Sequence, residues 1–377
     1  MRVLMLSLDQ AVLDPASRVA ERLRQYAEKL ESLDVIVPAA GPRENFFLNP
    51  KIKVYPLRLP FKAGYFWKSF ILAKRIIKQK PVDLITTQDP WATALVGYLL
   101  KKKCRIALNI QLHGDWFGSR YWRRQSLAHQ LLYFLGRLIV KKADSLRAVS
   151  GKIKDSLVNL GVTDGKISVL PLFEDYQKLT RQTSEIDLHK LYPGKKIILF
   201  VGRLAPEKNL PALLEAFKII QQQLPETLSV IVGQGPEENN LKNSVKKLNL
   251  TNRVIFYPWQ RELAGFYKTA DVFVLPSLTE GYNRTVVEAM SCGLPVVMTN
   301  VGPACDLVIN GFNGLIVEGD LIKAMPPLII KVLTDEDLRK KLIANGLAAI
   351  KQLPALNEYL QAVIDNWQMA LANNKKF

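Results

Sequence analysis

The chain has little of the chemistry with which small proteins cross-link themselves or hold structural metals. Its 377 residues include only three cysteines and three histidines, and no two cysteines form a CxxC pair. A sparse, odd set of cysteines excludes a disulfide framework and a zinc knuckle. No cluster of histidines or cysteines indicates a tightly held metal. A reducing, cytoplasmic environment suits such a chain best.

Long apolar segments are also missing. The stretches WATALVGYLL and LLYFLGRLIV reach about half of the roughly 20 residues that a membrane-spanning helix needs. The N-terminal VLMLSL is too short for the apolar core of a signal peptide and is typical of a first strand. With 48% hydrophobic residues and a mean hydropathy of +0.03, the composition indicates a soluble, globular protein long enough for two domains.

Acidic residues are scarce in the first half only. Residues 1–170 hold 29 Lys and Arg against 13 Asp and Glu, whereas residues 171–377 hold 23 against 21. The net charge of +18 is therefore concentrated in the first half, which favours an anionic partner there. An anionic membrane and nucleic acid are the candidates, and a solvated basic surface is the alternative. Because no nucleic-acid-binding motif accompanies the charge, we expect no nucleic acid partner.

Two segments of the basic half mix aromatic with basic residues. GYFWKSFILAKRIIKQK (64–80) and RYWRRQSLAHQLLYFL (120–135) have the composition of helices that lie in a membrane interface. The alternative for both is an ordinary helix that packs its apolar side into the domain. These segments favour a cytoplasmic protein with peripheral contact at the inner face of an anionic membrane.

Short apolar runs alternate with amphipathic stretches along the whole chain. This alternation predicts an α/β fold of two doubly wound parallel sheets, each a Rossmann-like domain. The polar segment KLTRQTSEIDLHK (178–190) is interpreted as the connection, which gives a first domain of residues 1–175 and a second of residues 190–354. The amphipathic stretch at about 355–377 is a candidate helix to pack back onto the first domain.

The stretch LPSLTEGYNRTVVEAMSCGLPVV (275–297) contains two carboxylates, Glu280 and Glu288, with seven residues between them. An apolar run precedes Glu280 and helix-forming residues surround Glu288, so we expect Glu280 on a strand-to-helix loop and Glu288 on the helix. This edge of a parallel sheet is where open α/β domains bind ligands, and free helix N–H groups suit phosphate. The arrangement predicts recognition of a ligand with both hydroxyls and phosphates.

A second strand-to-helix loop carries two cations. In KIILFVGRLAPEKNLPALLEAF (196–217), Arg203 and Lys208 follow the strand that ends at Gly202, and together they can clamp a diphosphate without metal. Two solvated surface cations are the alternative. Gly233 and Gly235 repeat the strand-glycine-helix pattern in VGQGP, and we interpret both as tight-turn glycines, with contact between backbone and phosphate as an addition.

The first half offers weaker candidates. QLHGDWFG places His113 at the carboxyl end of the strand RIALNI, followed by Asp115; a structural or solvated histidine is the alternative. Ser17 and Arg18, at the start of a helix, could bind an anion through the helix dipole and the guanidinium together. Ser17 could equally be an N-cap and nothing more.

Five motifs of the chain occur in the order and spacing of glycosyltransferase family 4: FVGRLAPEKN, VGQGP, ADVFVLPS, EGYNRTVVEAMSCGLPVV and NGFNGLIV. The chain resembles that family strongly over roughly residues 195–320 and more weakly over the first half. The resemblance implies a GT-B fold, in which two Rossmann-like domains face a central cleft. It also implies transfer of a sugar, with retention, from a nucleoside diphosphate sugar to an acceptor hydroxyl in glycan, polysaccharide or glycolipid biosynthesis. No tightly bound cofactor and no divalent metal would be required.

The resemblance also implies roles for individual residues. Arg203 and Lys208 would bind the donor diphosphate, and Glu288 would hold the ribose hydroxyls. Glu280 and His113 would contact the transferred sugar. The other donor contacts would come from Gly202, Gly233, Gly281, Tyr282, Asn283, Arg284 and Thr285, and the acceptor side from Ser17, Arg18 and Asp115.

The chain departs from the family's pattern in three places. Asn283-Arg284-Thr285 stands where many members have a Gly-Leu-Pro-like run, and Arg284 could add a third cation near the diphosphate. Asp306 stands where a glutamate is expected, and Pro15-Ala16-Ser17-Arg18 replaces a glycine pair. A nucleotide-sugar epimerase of the same architecture is the alternative enzyme, and a basic nucleic-acid-binding protein is the alternative from another class.

Overall fold

The computed structural model describes residues 1–58, 64–304 and 306–374 and divides the chain into two compact units. The first comprises Met1–Leu172 and Pro354–Phe377, and the second Phe173–Leu353. Each is built on its own sheet flanked by helices, so the predicted α/β class with two doubly wound domains is confirmed. Cys305 and the last three residues of the predicted C-terminal helix lie outside the described residues.

The strands of the first unit form one sheet. They are β1 (Arg2–Leu6), β2 (Ser32–Ala39), β3 (Phe46–Asn49), β4 (Ile52–Arg58), β5 (Leu84–Thr87), β6 (Ala107–Leu112), β7 (Ser145–Ala148) and β8 (Ile167–Val169). Their order is β3-β4-β2-β1-β5-β6-β7-β8. The central strands are buried on both faces, as their runs of Val, Ile and Leu predict.

One strand of this sheet departs from the predicted parallel pattern. β3 pairs antiparallel with β4 at the sheet edge, through a turn at Asn49 whose side-chain Oδ1 accepts from the amide of Lys51 at 2.9 Å. The four-residue β3 is too short to show strand periodicity, and it was not among the predicted strands. An edge position explains why so short a strand suffices, because it needs a partner on one side only.

The helices of the first unit cover the faces of this sheet. They are α1 (Arg18–Glu28), α2 (Tyr65–Gln79), α3 (Ala92–Cys104), α4 (Arg120–Arg124), α5 (Leu127–Val140) and α6 (Gly151–Asn159), with a further, C-terminal helix at Leu356–Asn374. α3 packs against both α2 and α5, so these three helices form one layer of the unit.

The C-terminal helix, Leu356–Asn374, lies against β5, β6 and β7 of the first unit. Buried Asn366 fixes its position: Asn109 Nδ2 donates to Asn366 Oδ1 at 2.7 Å, and Asn366 Nδ2 donates to the carbonyl of Leu146 at 3.0 Å. The buried guanidinium of Arg147 donates to the hydroxyl of Tyr359 at 2.8 Å. These bonds satisfy polar groups that would otherwise be buried without partners, so the helix completes the core of the first unit.

The second unit has a sheet of parallel strands only. They are β9 (Lys196–Val201), β10 (Thr227–Val232), β11 (Val254–Tyr257), β12 (Val272–Leu275), β13 (Val296–Thr299) and β14 (Leu315–Val317). Their order is β11-β10-β9-β12-β13-β14. These strands are the short apolar runs of the second half, each with a glycine or proline close to one end.

The helices of the second unit follow its strands. They are α7 (Tyr176–Arg181), α8 (Leu188–Leu191), α9 (Leu210–Gln223), α10 (Glu238–Lys247), α11 (Ala264–Thr269), α12 (Arg284–Ser291), α13 (Leu321–Thr334) and α14 (Glu336–Lys351); the C-terminal helix is therefore α15. The segment interpreted as the connection between domains, residues 178–190, lies within the second unit and includes parts of α7 and α8. Helices of four to six residues show no periodicity in the sequence.

Candidate functional site

The strand order of the second unit reverses between β9 and β12. β9 has β10 on one side and β12 on the other, and such a switch point opens a crevice at the carboxyl ends of the two strands. The loop after β9 carries Arg203 and Lys208, and the loop after β12 carries Glu280. The amide of Leu278 donates to the carbonyl of Glu207 at 2.8 Å, which joins the two loops.

Lys208 and Glu280 form an ion pair at this switch point. Their Nζ and Oε1 atoms are 2.6 Å apart, and the two side chains are 16% and 11% exposed. The hydroxyl of Ser277, which is buried, donates to the same Oε1 at 2.6 Å. The carboxylate is therefore fixed by two donors within the chain, while part of its surface remains open to a ligand. Ser277 was not among the predicted residues, because a serine three residues from a glutamate is no signal.

Arg203 does not share this pair. Its guanidinium pairs with Glu207, four residues along the chain, and its side chain is 68% exposed. An exposed ion pair of this kind contributes little to stability, so the guanidinium can exchange Glu207 for another anion at low cost. The structure thus gives the two predicted cations different surroundings: Lys208 is held and Arg203 is accessible.

Helix α12 begins beside Glu280 with an unusual residue. Asn283 has φ +63°, and its Oδ1 accepts from the amide of Val286 at 3.3 Å and from the hydroxyl of Thr285 at 2.7 Å. Asparagine is the residue other than glycine that tolerates this left-handed conformation best. Asparagine therefore allows this backbone conformation and adds a helix cap. Gly281 and the buried Tyr282 complete the loop.

Glu288 lies on α12, one helical turn after Arg284, as predicted from the sequence. The hydroxyl of buried Tyr267 donates to Glu288 Oε2 at 2.8 Å. Burial, and then the charge of Glu288, raise the pKa of Tyr267 well above its usual value, so this hydroxyl remains a donor. Tyr267 gave no signal in the sequence, because it reaches Glu288 from another element, α11.

Arg284 is engaged with carboxylates. Its Nη2 atom lies 2.7 Å from Glu174 Oε1 and 3.7 Å from Glu288 Oε1. The residue predicted as a third cation near the diphosphate therefore has its charge compensated by two acids. Arg284 and Tyr267 therefore approach different oxygens of the Glu288 carboxylate, Oε1 and Oε2.

Two glycines of this unit are required by close backbone approach. A Cβ atom on Gly233, which has φ +149°, would stand 1.9 Å from the carbonyl oxygen of Gly202. A Cβ atom on Gly235 would stand 2.3 Å from the carbonyl oxygen of Leu204. The tight-turn interpretation of both glycines is confirmed, because any side chain would force the ends of β9 and β10 apart.

In the first unit, His113 follows β6 and meets the end of β5. Its Nε2 lies 2.9 Å from Oε1 of Gln88, which follows β5 directly. Burial, reinforced by the charges of Arg147 and Arg22, lowers the pKa of His113 to about 3. The imidazole is therefore neutral at physiological pH and can exchange hydrogen bonds with a hydroxyl. Gln88 could not be found from the sequence, since it lies 25 residues away on another loop.

Asp115 lies two residues further along the same loop. Its Oδ1 accepts from the amide of Gly118 at 2.8 Å, and burial raises the pKa of its carboxyl group. Ser17 is the N-cap of α1: its hydroxyl accepts from the amide of Ala20 at 3.0 Å and donates to the carbonyl of Ala11 at 2.6 Å. The N-cap interpretation of Ser17 is confirmed, and Arg18 is the exposed first residue of the helix.

The structure thus groups the candidate residues by unit. Ser17, Arg18, His113 and Asp115 belong to the first unit, and the other predicted site residues belong to the second. Within the described ranges, no three His, Cys, Asp or Glu side chains are grouped so that they could hold a metal ion. In the same ranges, no helix has the length and apolar character needed to cross a membrane.

Both halves of the chain match known families. Residues 182–348 match the family model described as glycosyl transferases group 1, and residues 16–177 match the model described as glycosyltransferase family 4. A curated Escherichia coli relative, UDP-Gal:alpha-D-GlcNAc-diphosphoundecaprenol alpha-1,3-galactosyltransferase, is 28% identical over 313 residues, 79% of this chain and 80% of its own length. The capsular polysaccharide biosynthesis glycosyltransferase CapM of Staphylococcus aureus is 31% identical over 239 residues, 61% of this chain and 62% of its own.

A solved structure shares the fold over nearly the whole chain. Sucrose-phosphate synthase from Thermosynechococcus elongatus superposes with a TM-score of 0.80 at 21% identity, and the superposition covers 99% of this chain and 100% of that one. At this identity the likeness concerns the fold alone. None of these matches supports the epimerase alternative.

Proposed function

The chain belongs to the group 1 glycosyltransferases and has their GT-B fold, and on this basis we propose that it transfers a sugar, with retention, from a nucleoside diphosphate sugar to an acceptor hydroxyl. The observation that carries the proposal is the Lys208–Glu280 pair at the switch point of the second sheet, 2.6 Å across and mostly buried. A cation and a hydroxyl-binding carboxylate meet there beside the capped start of α12. A sugar diphosphate needs both groups at adjacent points.

In the proposed reaction, charge develops on the departing diphosphate. Lys208 stabilises that charge as a cation that Glu280 holds in place. Arg203 does so as a cation that can turn away from Glu207. Because two cations supply this stabilisation, we propose that neither a divalent metal nor a tightly bound cofactor is required. The N-terminus of α12 adds a further anion site through its helix dipole.

Recognition of the donor is divided between two carboxylates in this proposal. Glu288 accepts hydrogen bonds from the ribose hydroxyls, and Tyr267 and Arg284 hold its two oxygens in position. Glu280 accepts hydrogen bonds from hydroxyls of the transferred sugar. His113, which belongs to the first unit, remains a predicted sugar contact. Each group contributes by orienting the donor so that its anomeric carbon can meet the acceptor.

The acceptor in this proposal is a glycan or a lipid-linked saccharide. The name of the Escherichia coli relative specifies a diphosphoundecaprenol-linked acceptor and UDP-galactose as donor, so a UDP-sugar and a polyprenyl diphosphate-linked sugar are the first substrates to test. Asp115, with a raised pKa, and Ser17 and Arg18 are the proposed acceptor-side residues, with Ser17 acting through the cap of α1.

The test is a transfer assay on the full chain with a panel of UDP-, GDP- and ADP-sugars. We expect one donor to release its nucleoside diphosphate in an acceptor-dependent manner, with the donor's anomeric configuration kept in the product by proton NMR. The Lys208→Ala variant should lose this release. An isomerised donor in the absence of acceptor would instead establish an epimerase, and inversion at the anomeric carbon would contradict retention.

A further inference from the structure

One face of the first unit carries apolar side chains that nothing in the described chain covers. On α5, Leu127, Leu131, Phe134 and Leu138 are 77%, 71%, 58% and 66% exposed. Their spacing of four, three and four residues places them on one stripe of the helix. The opposite side of α5 is buried, through Gly136, Ile139 and Val140. An ordinary amphipathic helix buries its apolar stripe, whereas α5 has one apolar side in the core and a second in solvent.

The same layer of helices has a large excess of basic over acidic residues. The segments 64–80, 91–107 and 116–143, which contain α2, α3, α4 and α5, include fifteen Lys and Arg and not one Asp or Glu. Two of the fifteen, Lys80 and Lys101, pair with acids of the sheet, Asp34 and Asp144. Within the described ranges the other thirteen form no ion pair with an acid. The neighbouring charges of Lys103 and Lys78 lower the pKa of Lys74.

Further apolar side chains are exposed on α2. Trp67 and Ile71 are 66% and 57% exposed, and they lie one turn apart on the helix. Because α3 packs against both α2 and α5, these two residues and the stripe of α5 belong to one helix layer. Exposed aliphatic and aromatic side chains among cations are the signature of a surface that inserts between anionic lipid headgroups.

We propose that this helix layer, α2, α3, α4 and α5, docks the first unit onto an anionic lipid bilayer, with the stripe Leu127, Leu131, Phe134 and Leu138 inserted among the headgroups. The bilayer is favoured over nucleic acid because a phosphate backbone binds cations but provides no apolar environment in which four exposed aliphatic and aromatic side chains could be buried. It is favoured over a second copy of the chain because two copies of a positively charged face repel each other electrostatically.

An aromatic cluster connects this surface to the loop that carries His113. The ring of Trp122, on α4, stacks on Trp91 with centroids 5.0 Å apart, and Trp91 meets Trp116 at 4.9 Å. Trp116 follows His113 by three residues on the loop after β6. A bilayer docked on α4 and α5 therefore lies next to the proposed acceptor side, where a lipid-linked acceptor would arrive. The docking surface itself does not depend on the proposed activity.

The test is co-sedimentation of the full chain with vesicles of phosphatidylcholine alone and of equimolar phosphatidylcholine and phosphatidylglycerol, with no donor present. We expect binding to the anionic vesicles only. The L131Q/L138Q variant should lower the partition coefficient at least about tenfold, because two inserted leucines are lost. The R124Q/R137Q variant should lower it about 30-fold at low salt, because two cations leave the surface.

Matched controls carry the same substitutions on the second unit. W259Q removes an exposed apolar side chain, 53% exposed, and K246Q/K247Q removes two exposed cations of α10; both should bind vesicles as the wild type does. All substituted residues are at the surface, so melting temperatures should stay within about 2 °C of the wild type. In addition, brominated acyl chains should quench the fluorescence of the wild type more than that of W67F.

Three results would overturn the proposal. Equal vesicle binding by the wild type and L131Q/L138Q would show that no apolar side chain inserts. Equal affinity of the wild type for random duplex DNA and for anionic vesicles, lost only in R124Q/R137Q, would point to nucleic acid. A dimer in light scattering that L131Q/L138Q converts to a monomer, without vesicle binding by either, would assign the stripe to a second copy of the chain.

Discussion

At Glu280, replacement by glutamine should affect substrate binding more than it affects the stability of the fold. Its Oε1 receives donors from both Lys208 and Ser277. Glutamine at this position keeps a carbonyl oxygen that can accept both hydrogen bonds, while the negative charge is removed. A charged acceptor binds hydroxyls more strongly than a neutral one, so the consequences for the substrate exceed those for the fold.

We expect Glu280→Gln to lower kcat/KM for sugar transfer at least about 100-fold, the order found when one group that stabilises or orients a transition state is removed. The melting temperature should fall by only a few degrees. Glu215→Gln, at an exposed position of α9 in the same unit, is the control and should leave transfer unchanged. Near-normal transfer by Glu280→Gln would remove Glu280 from the site.

His113 should leave a signature in the pH dependence of stability. Its pKa is about 3 in the folded chain against an ordinary value of 6.5. Between these two values the unfolded chain binds a proton that the folded chain does not, so the free energy of unfolding falls as pH falls, by up to about 1.4 kcal/mol per pH unit. Above pH 6.5 the group contributes no pH dependence.

The measurement is urea unfolding of the wild type and His113→Gln at pH 5.0, 6.0, 7.5 and 8.5. The wild type should lose stability more steeply than the variant between pH 6.0 and 5.0, and the two should run parallel between pH 7.5 and 8.5. Identical slopes would mean that His113 titrates normally and is not buried as a neutral base.

At the scale of the element, α12 begins beside Glu280 and carries Glu288, the two carboxylates of the proposed donor site. Its cap, Asn283, follows the Glu280 loop, and its second turn carries Glu288. The backbone at Asn283 has φ +63°, which glycine would adopt without cost and which alanine would adopt only with strain. The side chain adds the hydrogen bond to Val286 that glycine lacks.

Two substitutions at Asn283 separate conformation from capping. Asn283→Gly should destabilise the chain by less than about 1 kcal/mol. Only the side-chain hydrogen bond of the cap is lost, and glycine at an N-cap position stabilises a helix nearly as well as asparagine does. Asn283→Ala should cost about 1–3 kcal/mol, because it loses the cap and retains the strained φ. Chemical unfolding gives both values. An alanine variant as stable as the glycine variant would show that the left-handed conformation is not required.

Long elements of this chain can be predicted from the sequence more reliably than short ones. β9, α9 and α12 are found because apolar periodicity and glycines mark them, whereas β3, α7 and α8 are too short to show any period. For the candidate site, the positions of Glu280, Glu288 and Lys208 could be predicted because each follows a strand or lies on a marked helix. The partners Tyr267, Ser277 and Gln88 could not be predicted, since packing between distant elements selects them.

At the scale of the whole molecule, α15 returns to the first unit after the second has been completed. Asn366 is 2% exposed and bridges β6 and β7, and Tyr359 closes the shell around buried Arg147. A buried guanidinium that loses an acceptor keeps its full desolvation cost. The stability of the first unit therefore depends on the last 20 or so residues of the chain.

We expect Asn366→Leu to lower the free energy of unfolding by about 2–4 kcal/mol, because the side chain of Asn109 and the carbonyl of Leu146 lose their partner in the core. The matched change Asn374→Leu, at the exposed end of α15, should cost less than about 1 kcal/mol. Thermal and urea unfolding measure both. Equal stability of the two variants would contradict the anchoring role of Asn366.

The central claim is that the switch point of the second sheet binds a nucleoside diphosphate sugar through Glu288, Lys208 and Glu280. Calorimetric titration of UDP, GDP and ADP into the wild type, Glu288→Gln and the control Glu215→Gln tests it most directly. We predict that one nucleotide binds the wild type and Glu215→Gln equally, and that Glu288→Gln raises its Kd at least about tenfold, the effect of losing a charged acceptor. Absence of binding by all three nucleotides, or an unchanged Kd in Glu288→Gln, would contradict the claim.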